Sequence, residues 1–264
     1  MLALPAMGGE ASGQFKAGTR VPIGPKYAAA YEIRDMRDAR KRVVEVILTD
    51  VPVDAAAAVA ELDPHMAVVN QPALQDQNYI VLVVRPDGDV SMNATYSERM
   101  VQFIDMTGEG SLKAELTTNT PARVVGRVLT PKPVKTQDES WTVDVKFAAD
   151  VTRASAGTKL PADGGEPGKA LKALMSSVAR KNWEGIKRGV AEDRFSDLDE
   201  AVSILEIWLP KKAKITGGEV RGDVATIELE GEIFEGTKGL FLVRMTKSGA
   251  RWILERAVRA GFIH

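Results

Sequence analysis

The stretch ASAGTKLPADGGEPG, residues 154–168, decides how the rest of the chain is read. Its only large apolar residue is Leu160, and Gly, Ala, Pro and Asp dominate the remainder, which is the composition of a connector. Before it, apolar residues recur in short β-type runs; after it they first take a helical period. The predicted organisation is therefore a leader or signal remnant over residues 1–25, a β domain over 26–153, a linker over 154–168 and a second domain over 169–264. The same stretch contains a Gly-Lys that invites comparison with a phosphate loop. Such a loop needs Gly, four residues, then Gly-Lys-Ser/Thr, because backbone amides wrap the phosphates and the hydroxyl binds magnesium. Here Asp163 stands where the first Gly is needed and Ala170 where the hydroxyl is needed, while Asp163 and Glu166 repel phosphate. The segment reads as a linker running into a helix, and no nucleotide cofactor is assigned.

The bulk properties fit two ordinary domains in 264 residues. Hydrophobic residues make up 44% and charged residues 27%, near the globular average, and no run reaches the length of a membrane helix. With 35 basic and 36 acidic side chains there is no global field toward nucleic acid or an anionic membrane. Cysteine is absent, which removes disulfides, thiolate nucleophiles and cysteine-ligated metals. The start, MLALPAMGGEASGQ, combines a short apolar run with small residues, as at the tail of a secretory signal. That points to a periplasmic or secreted protein, with a cytoplasmic one carrying a flexible Gly/Ala/Ser leader as the alternative.

In the first half RVVEVILTD (42–50), YIVLVV (79–84) and VSMNATY (90–96) are Val- and Ile-rich or alternating runs, the last two joined by the hairpin signal Arg85-Pro-Asp-Gly-Asp89. SLKAELT, PARVVGRVL and WTVDVKFAADV continue the series, with Trp141, Val143, Val145 and Phe147 on one face. The spacing predicts an immunoglobulin-like β-sandwich. One helix is expected within it, over residues 53–62, capped by Asp54 and stopped by Asp63-Pro64. The run RDMRDARKR (34–42) alternates in sign and lacks aromatic stacking partners, so it reads as a solvated hairpin tip and not as a nucleic-acid site.

In the second half Leu171, Leu174, Met175, Val178 and Ile186 define one face of a helix over residues 169–190. DEAVSILEIWL repeats the pattern with Val202, Leu205 and Leu209, and Pro210 closes it. VATIELEGEIF, GLFLVRM and RWILERAV follow as hairpin-linked strands. Two stretches, ARKNWE at the end of the first helix and LFLVRMTKSGARW near the C-terminus, resemble motifs of the nuclear transport factor 2-like superfamily over about the last hundred residues. The resemblance implies a cone-shaped α+β domain, with helices packed across a curved antiparallel sheet and a cavity between them. The catalytic His/Asp pair of that superfamily has no counterpart here.

Candidate site residues follow from these expectations. Trp183, Trp208, Phe234, Phe241, Met245 and Trp252 would wall the cavity, and such a lining suits an apolar or aromatic small ligand or the side chain of a protein partner. The three tryptophans are equally compatible with an ordinary core. Glu228, Glu230 and Glu232 alternate along one strand face. They are either acid–base groups of a cyclase, isomerase or dehydratase, or the wet side of a sheet neutralised by Arg244 or Arg251. His65 follows a proline in a polar turn and His264 is terminal, so no catalytic triad is assigned; His65 with Asp63 and Asp76 lacks any metal-ligand spacing, so no metal is assigned. The reading is a non-catalytic ligand- or protein-binding module, with the carboxylate enzyme and a purely structural protein as rivals.

Overall fold

The computed structural model describes residues 9–96, 101–106, 111–135, 139–192 and 194–264. The chain divides into two compact units, one of residues 1–33 and 42–154, the other of residues 34–41 and 155–264.

The first unit is built on one sheet. Its strands are β1 (Gly9–Ala17), β2 (Tyr27–Arg34), β3 (Arg42–Thr49), β4 (Tyr79–Val84), β5 (Val90–Tyr96), β6 (Val101–Met106), β7 (Lys113–Asn119), β8 (Arg123–Leu129), β9 (Val134–Lys135) and β10 (Ser140–Thr152). They run in the order β6-β5-β4-β3-β2-β1-β10-β8-β7, with β9 beside β10. β10, the longest strand of this sheet, lies between β1 and β8. Its first part pairs antiparallel with β1, from Trp141 opposite Ala17 to Ala148 opposite Glu10, and its end pairs parallel with β2 at Val151 and Thr152. The expected face of Trp141, Val143, Val145 and Phe147 is buried as read. One core joins it to Phe15, Leu82, Met92, Tyr96 and Val128 from across the sheet.

The expected pairing of an immunoglobulin-like sandwich with a helix-bearing α+β cone is overturned. The chain is mostly β, 49% strand against 19% helix, with a curled half-barrel sheet and a second sheet, and among the described residues three of five helices reach seven residues. The physical reason in the first unit is that curling lets one sheet bury its own concave side, so no second facing layer is needed.

Three local expectations also change. Residues 9–17, assigned to a leader, form β1 inside the sheet, with Phe15 fully buried; residues 1–8 lie outside the described residues. Gly13 in β1 has φ +104, and a Cβ there would sit 2.1 Å from the Asp144 carbonyl, so the strand pairs with β10 only because this position is glycine. Asp63-Pro64 does not merely stop a helix. The predicted 53–62 helix is the single turn α1 (Ala55–Ala58), and Asp63 opens a second, α2 (Pro64–Val69), by accepting from the Met66 amide at 3.1 Å, with Pro64 at its first position. α1 and α2 cover the outer face of β2–β4 through Ala58, Val59 and Val68, against Tyr31, Ile47 and Val81.

The second unit carries the sheet β11 (Thr158–Lys159), β12 (Lys211–Arg221), β13 (Val224–Phe234), β14 (Thr237–Ser248) and β15 (Arg251–Ile263), in that order and antiparallel. Helices α3 (Gly165–Ala179), α4 (Trp183–Gly189) and α5 (Leu198–Trp208) pack on it. The predicted single helix over 169–190 breaks at Lys181, whose φ is +51, and restarts with Asn182 as the cap of α4. The presumed linker is tied to this unit: Thr158 and Lys159 pair with Val220 and Glu219, and the Leu160 amide donates to the Gly218 carbonyl at 2.9 Å. The Gly165 amide at the start of α3 is taken by the Asp163 carboxylate at 3.0 Å. Between helices and sheet Leu171, Leu174, Ile186, Leu205, Ile227, Leu229, Val243, Met245 and Leu254 are all fully buried, so this space is packed.

Candidate functional site

An open trough bordered by two exposed apolar side chains lies at one end of the second sheet. There the C-terminus of α5 meets the β13–β14 hairpin. α5 begins where Asp197 accepts from the Glu200 amide at 2.9 Å. Glu200 in turn accepts from the Ser196 hydroxyl at 2.7 Å and its amide at 2.8 Å, and these bonds hold the Glu200 carboxyl below its usual range. The helix buries Ala201, Val202 and Leu205. Ile207 is out of phase with that stripe and stands 76% exposed, the most exposed large apolar side chain among the described residues. Pro210 has no N–H, so the Glu206 carbonyl gains no partner four residues on, and the helix ends there.

On the sheet side, a register shift between Glu232 and Phe234 interrupts the alternation of β13. Ile233 and Phe234 therefore both reach the same trough, Phe234 at 58% exposure, before the Glu235-Gly236 turn. Gly236 takes φ +76, which a side chain would oppose. The trough is open to solvent, has a volume of about 700 Å³, and is floored by Leu209, Pro210, Ile233 and Phe241 between the projecting Ile207 and Phe234. Its charged rim is Glu206, Glu235, Arg259 and the pair of Lys212 with Glu232 at 3.0 Å. That ammonium lowers the Glu232 pKa.

Of the six predicted pocket residues the trough gathers two, Phe234 and Phe241. Met245 is fully buried in the core between helices and sheet, and Trp183, Trp208 and Trp252 pack half-buried against that core without lining the trough. Lys187 sits 5.6 Å from the Trp183 ring centre. The Arg194 guanidinium lies 4.8 Å from that of Trp208, where burial lowers its pKa, and this stacking fixes Trp208 next in sequence to Ile207. Ile207 itself escaped the sequence reading. Its signal was present, an isoleucine out of step with the spacing of Val202, Leu205 and Leu209.

The glutamate row faces away from the helices, since Ala225, Ile227 and Leu229 take the buried side of β13. Its partners are not Arg244 or Arg251. Arg34 binds Glu228, Arg40 reaches Glu230 at 3.1 Å, and Lys212 takes Glu232; Arg244 lies 3.7 Å from Glu255. The expected solvated tip at 34–42 is corrected by the same contacts. Asp35 is buried, the Arg34 side chain is 11% exposed, and the Ala39 amide donates to the Phe262 carbonyl at 2.8 Å. Alternating signs in this loop serve intramolecular pairing.

A second groove, in the first unit, is lined by Ser12, Gly13, Gln14, Arg127, Asp144 and Lys146. Arg127 and Asp144 bind each other through two bonds of 2.8 and 2.7 Å, which raise the pKa of the arginine and lower that of the aspartate, and so the groove's main charges are already matched. Among the described residues no group of three or more His, Cys, Asp and Glu is placed to hold a metal ion, and no helix is long and apolar enough to cross a membrane. No protein-family model, no curated protein and no solved structure matches the chain.

Proposed function

We propose that this chain is a binding module and that the trough between Ile207 and Phe234 is where it takes its partner. The observation that carries this reading is the convergence of two large apolar side chains, 76% and 58% exposed, on one trough with a packed apolar floor. The trough is too open to enclose a small metabolite, whereas sites for drug-sized ligands cover roughly 70–90% of the ligand surface. A protein segment offering one aromatic or aliphatic anchor fits it better. The rim carries Glu206, Glu232 and Glu235 against Lys212 and Arg259, an acidic balance that favours a basic residue beside that anchor. Glu206 and Glu235 have no ion-pair partner among the described residues, and the C-terminal carbonyls of α5 add negative potential beside them.

The test is a melting-temperature screen on the whole chain, since a ligand of the folded state must stabilise it by RT ln(1 + [L]/Kd). Hexapeptides with Phe, Trp or Leu next to Lys are expected to raise the melting temperature and to shift tryptophan emission through Trp208. Matched peptides with Asp for Lys, or Ser for the aromatic, are expected to do less. A screen in which only sugars, nucleotides or metal ions act would overturn the reading.

A further inference from the structure

Glu45 is the charged residue inside the run VVEVIL of β3, and period-2 alternation puts it on the face that α1 and α2 cover, beside Ile47. It is buried at 4% exposure. A carboxylate in that position needs hydrogen bonds and a counter-charge. Two groups meet it. The Tyr31 hydroxyl, from β2, donates to Glu45 Oε1, and His65 Nδ1, from α2, lies 2.8 Å from the same oxygen. His65 is thus not a free surface residue. It is a polar contact between α2 and the sheet, in a segment that also packs through Ala58, Val59, Val68 and Leu74.

We propose that His65 is a proton-operated latch: protonated, it holds the α1–α2 segment on Glu45 by a charged hydrogen bond, and on losing its proton it keeps at most the weaker neutral one, so that the segment opens locally more often while the rest of the sheet stays folded. The groups acting on the imidazole and its partners are Glu45 from β3, Tyr31 from β2, Asp63 from the cap of α2, and Tyr79 from β4 acting on Tyr31. Burial favours the neutral imidazole, but the Glu45 hydrogen bond and the charges of Glu45 and Asp63 outweigh it and raise the His65 pKa. Burial, then Glu45, drives the Tyr31 hydroxyl well above its ordinary range, so it remains a donor throughout. A pKa raised on folding gives stability that is complete below the unfolded value of about 6.5 and disappears as pH rises through the folded value. The latch is therefore shut in mild acid and loosens toward alkaline pH.

With two histidines in the chain, imidazole NMR resolves both, and His65→Gln identifies the signal of His65. The expected result is a His65 midpoint above about 6.5, a value typical of unfolded histidine. Hydrogen exchange on the full chain should then show protection of the Val59, Ala67 and Asn70 amides falling with rising pH, by about tenfold for each pH unit by which the midpoint is raised. His65→Gln should flatten that dependence and leave the protection of β4 and β10 amides as it was. A midpoint at or below about 6.5 overturns the latch. So does a pH dependence of protection that is the same in His65→Gln and the parent.

Discussion

Replacing Phe15 by alanine tests the placement of residues 9–17 inside the first sheet. The side chain is fully buried, and its ring centre lies 5.8 Å from that of Trp141 and 6.1 Å from that of Tyr96. Phe→Ala in a core costs about 3–5 kcal/mol, because the transfer energy of the ring and the cavity left behind add. Two tilted aromatic neighbours place this site toward the upper part of that range, since each such pair contributes about 0.5–1.5 kcal/mol beyond its area. A whole domain is stable by about 5–15 kcal/mol, so the variant should remain folded in water but lose much of its margin. Urea unfolding followed by near-ultraviolet circular dichroism and by fluorescence is the assay, with Trp141 the one tryptophan of the first unit. With a slope of about 2 kcal/mol per molar urea, the midpoint of the first unit should fall by about 2 M. The three tryptophans of the second unit report its own transition as an internal control. A fall of less than about 0.25 M, the size of a surface substitution, would show that residues 9–17 are the detached leader that their composition suggests.

Three further outcomes follow from named contacts. Asp197→Ala removes the cap of α5 and should lower the stability of the second unit by about 0.5–2 kcal/mol by thermal unfolding, with Asp197→Asn restoring most of it. Arg34→Ala strips a nearly buried guanidinium from Glu228 and from the Ala39 carbonyl and should cost about 1–3 kcal/mol in urea at any salt concentration. Arg40→Ala, whose side chain is half in water, should cost less than about 1 kcal/mol and nothing measurable in 1 M salt.

The parts of the fold visible in the sequence are those set by local pattern. YIVLVV, the Arg85–Asp89 turn and VSMNATY become β4, its hairpin and β5, closed by the Arg85 amide donating to the Asp89 carbonyl at 2.9 Å. α5 is legible because Val202 and Leu205 fix its face and Pro210 its end. What alternation cannot say is which strands are neighbours. A sandwich and a curled single sheet bury the same alternate residues, and here the choice rests on β1 filling the place between β2 and β10. That strand is GEASGQFKA, too poor in β-branched residues to announce itself, and it enters the core mainly through Phe15 and Ala17. The candidate site was half legible for a related reason. Aromatic residues were sought as a lining, whereas Trp183 and Trp252 are used as packing; exposure was decided by phase at Ile207 and by a register shift at Phe234. Glu45 was the remaining signal, an acid amid apolar residues on a strand's buried face, whose partner His65 lies twenty residues away.

The trough is tested most directly by titrating the parent, Phe234→Ser and Ile207→Ser with one Phe-Lys hexapeptide and reading tryptophan emission. Full burial of such a side chain is worth about 1.5–3 kcal/mol, so the exposed fractions of Phe234 and Ile207 each correspond to about 1–2 kcal/mol on contact. Each substitution should therefore weaken binding by about 5–30-fold and leave the melting temperature of the free protein nearly unchanged, because neither side chain belongs to the core. Binding that is equally tight in all three proteins would contradict the account, placing the partner somewhere other than between these two residues.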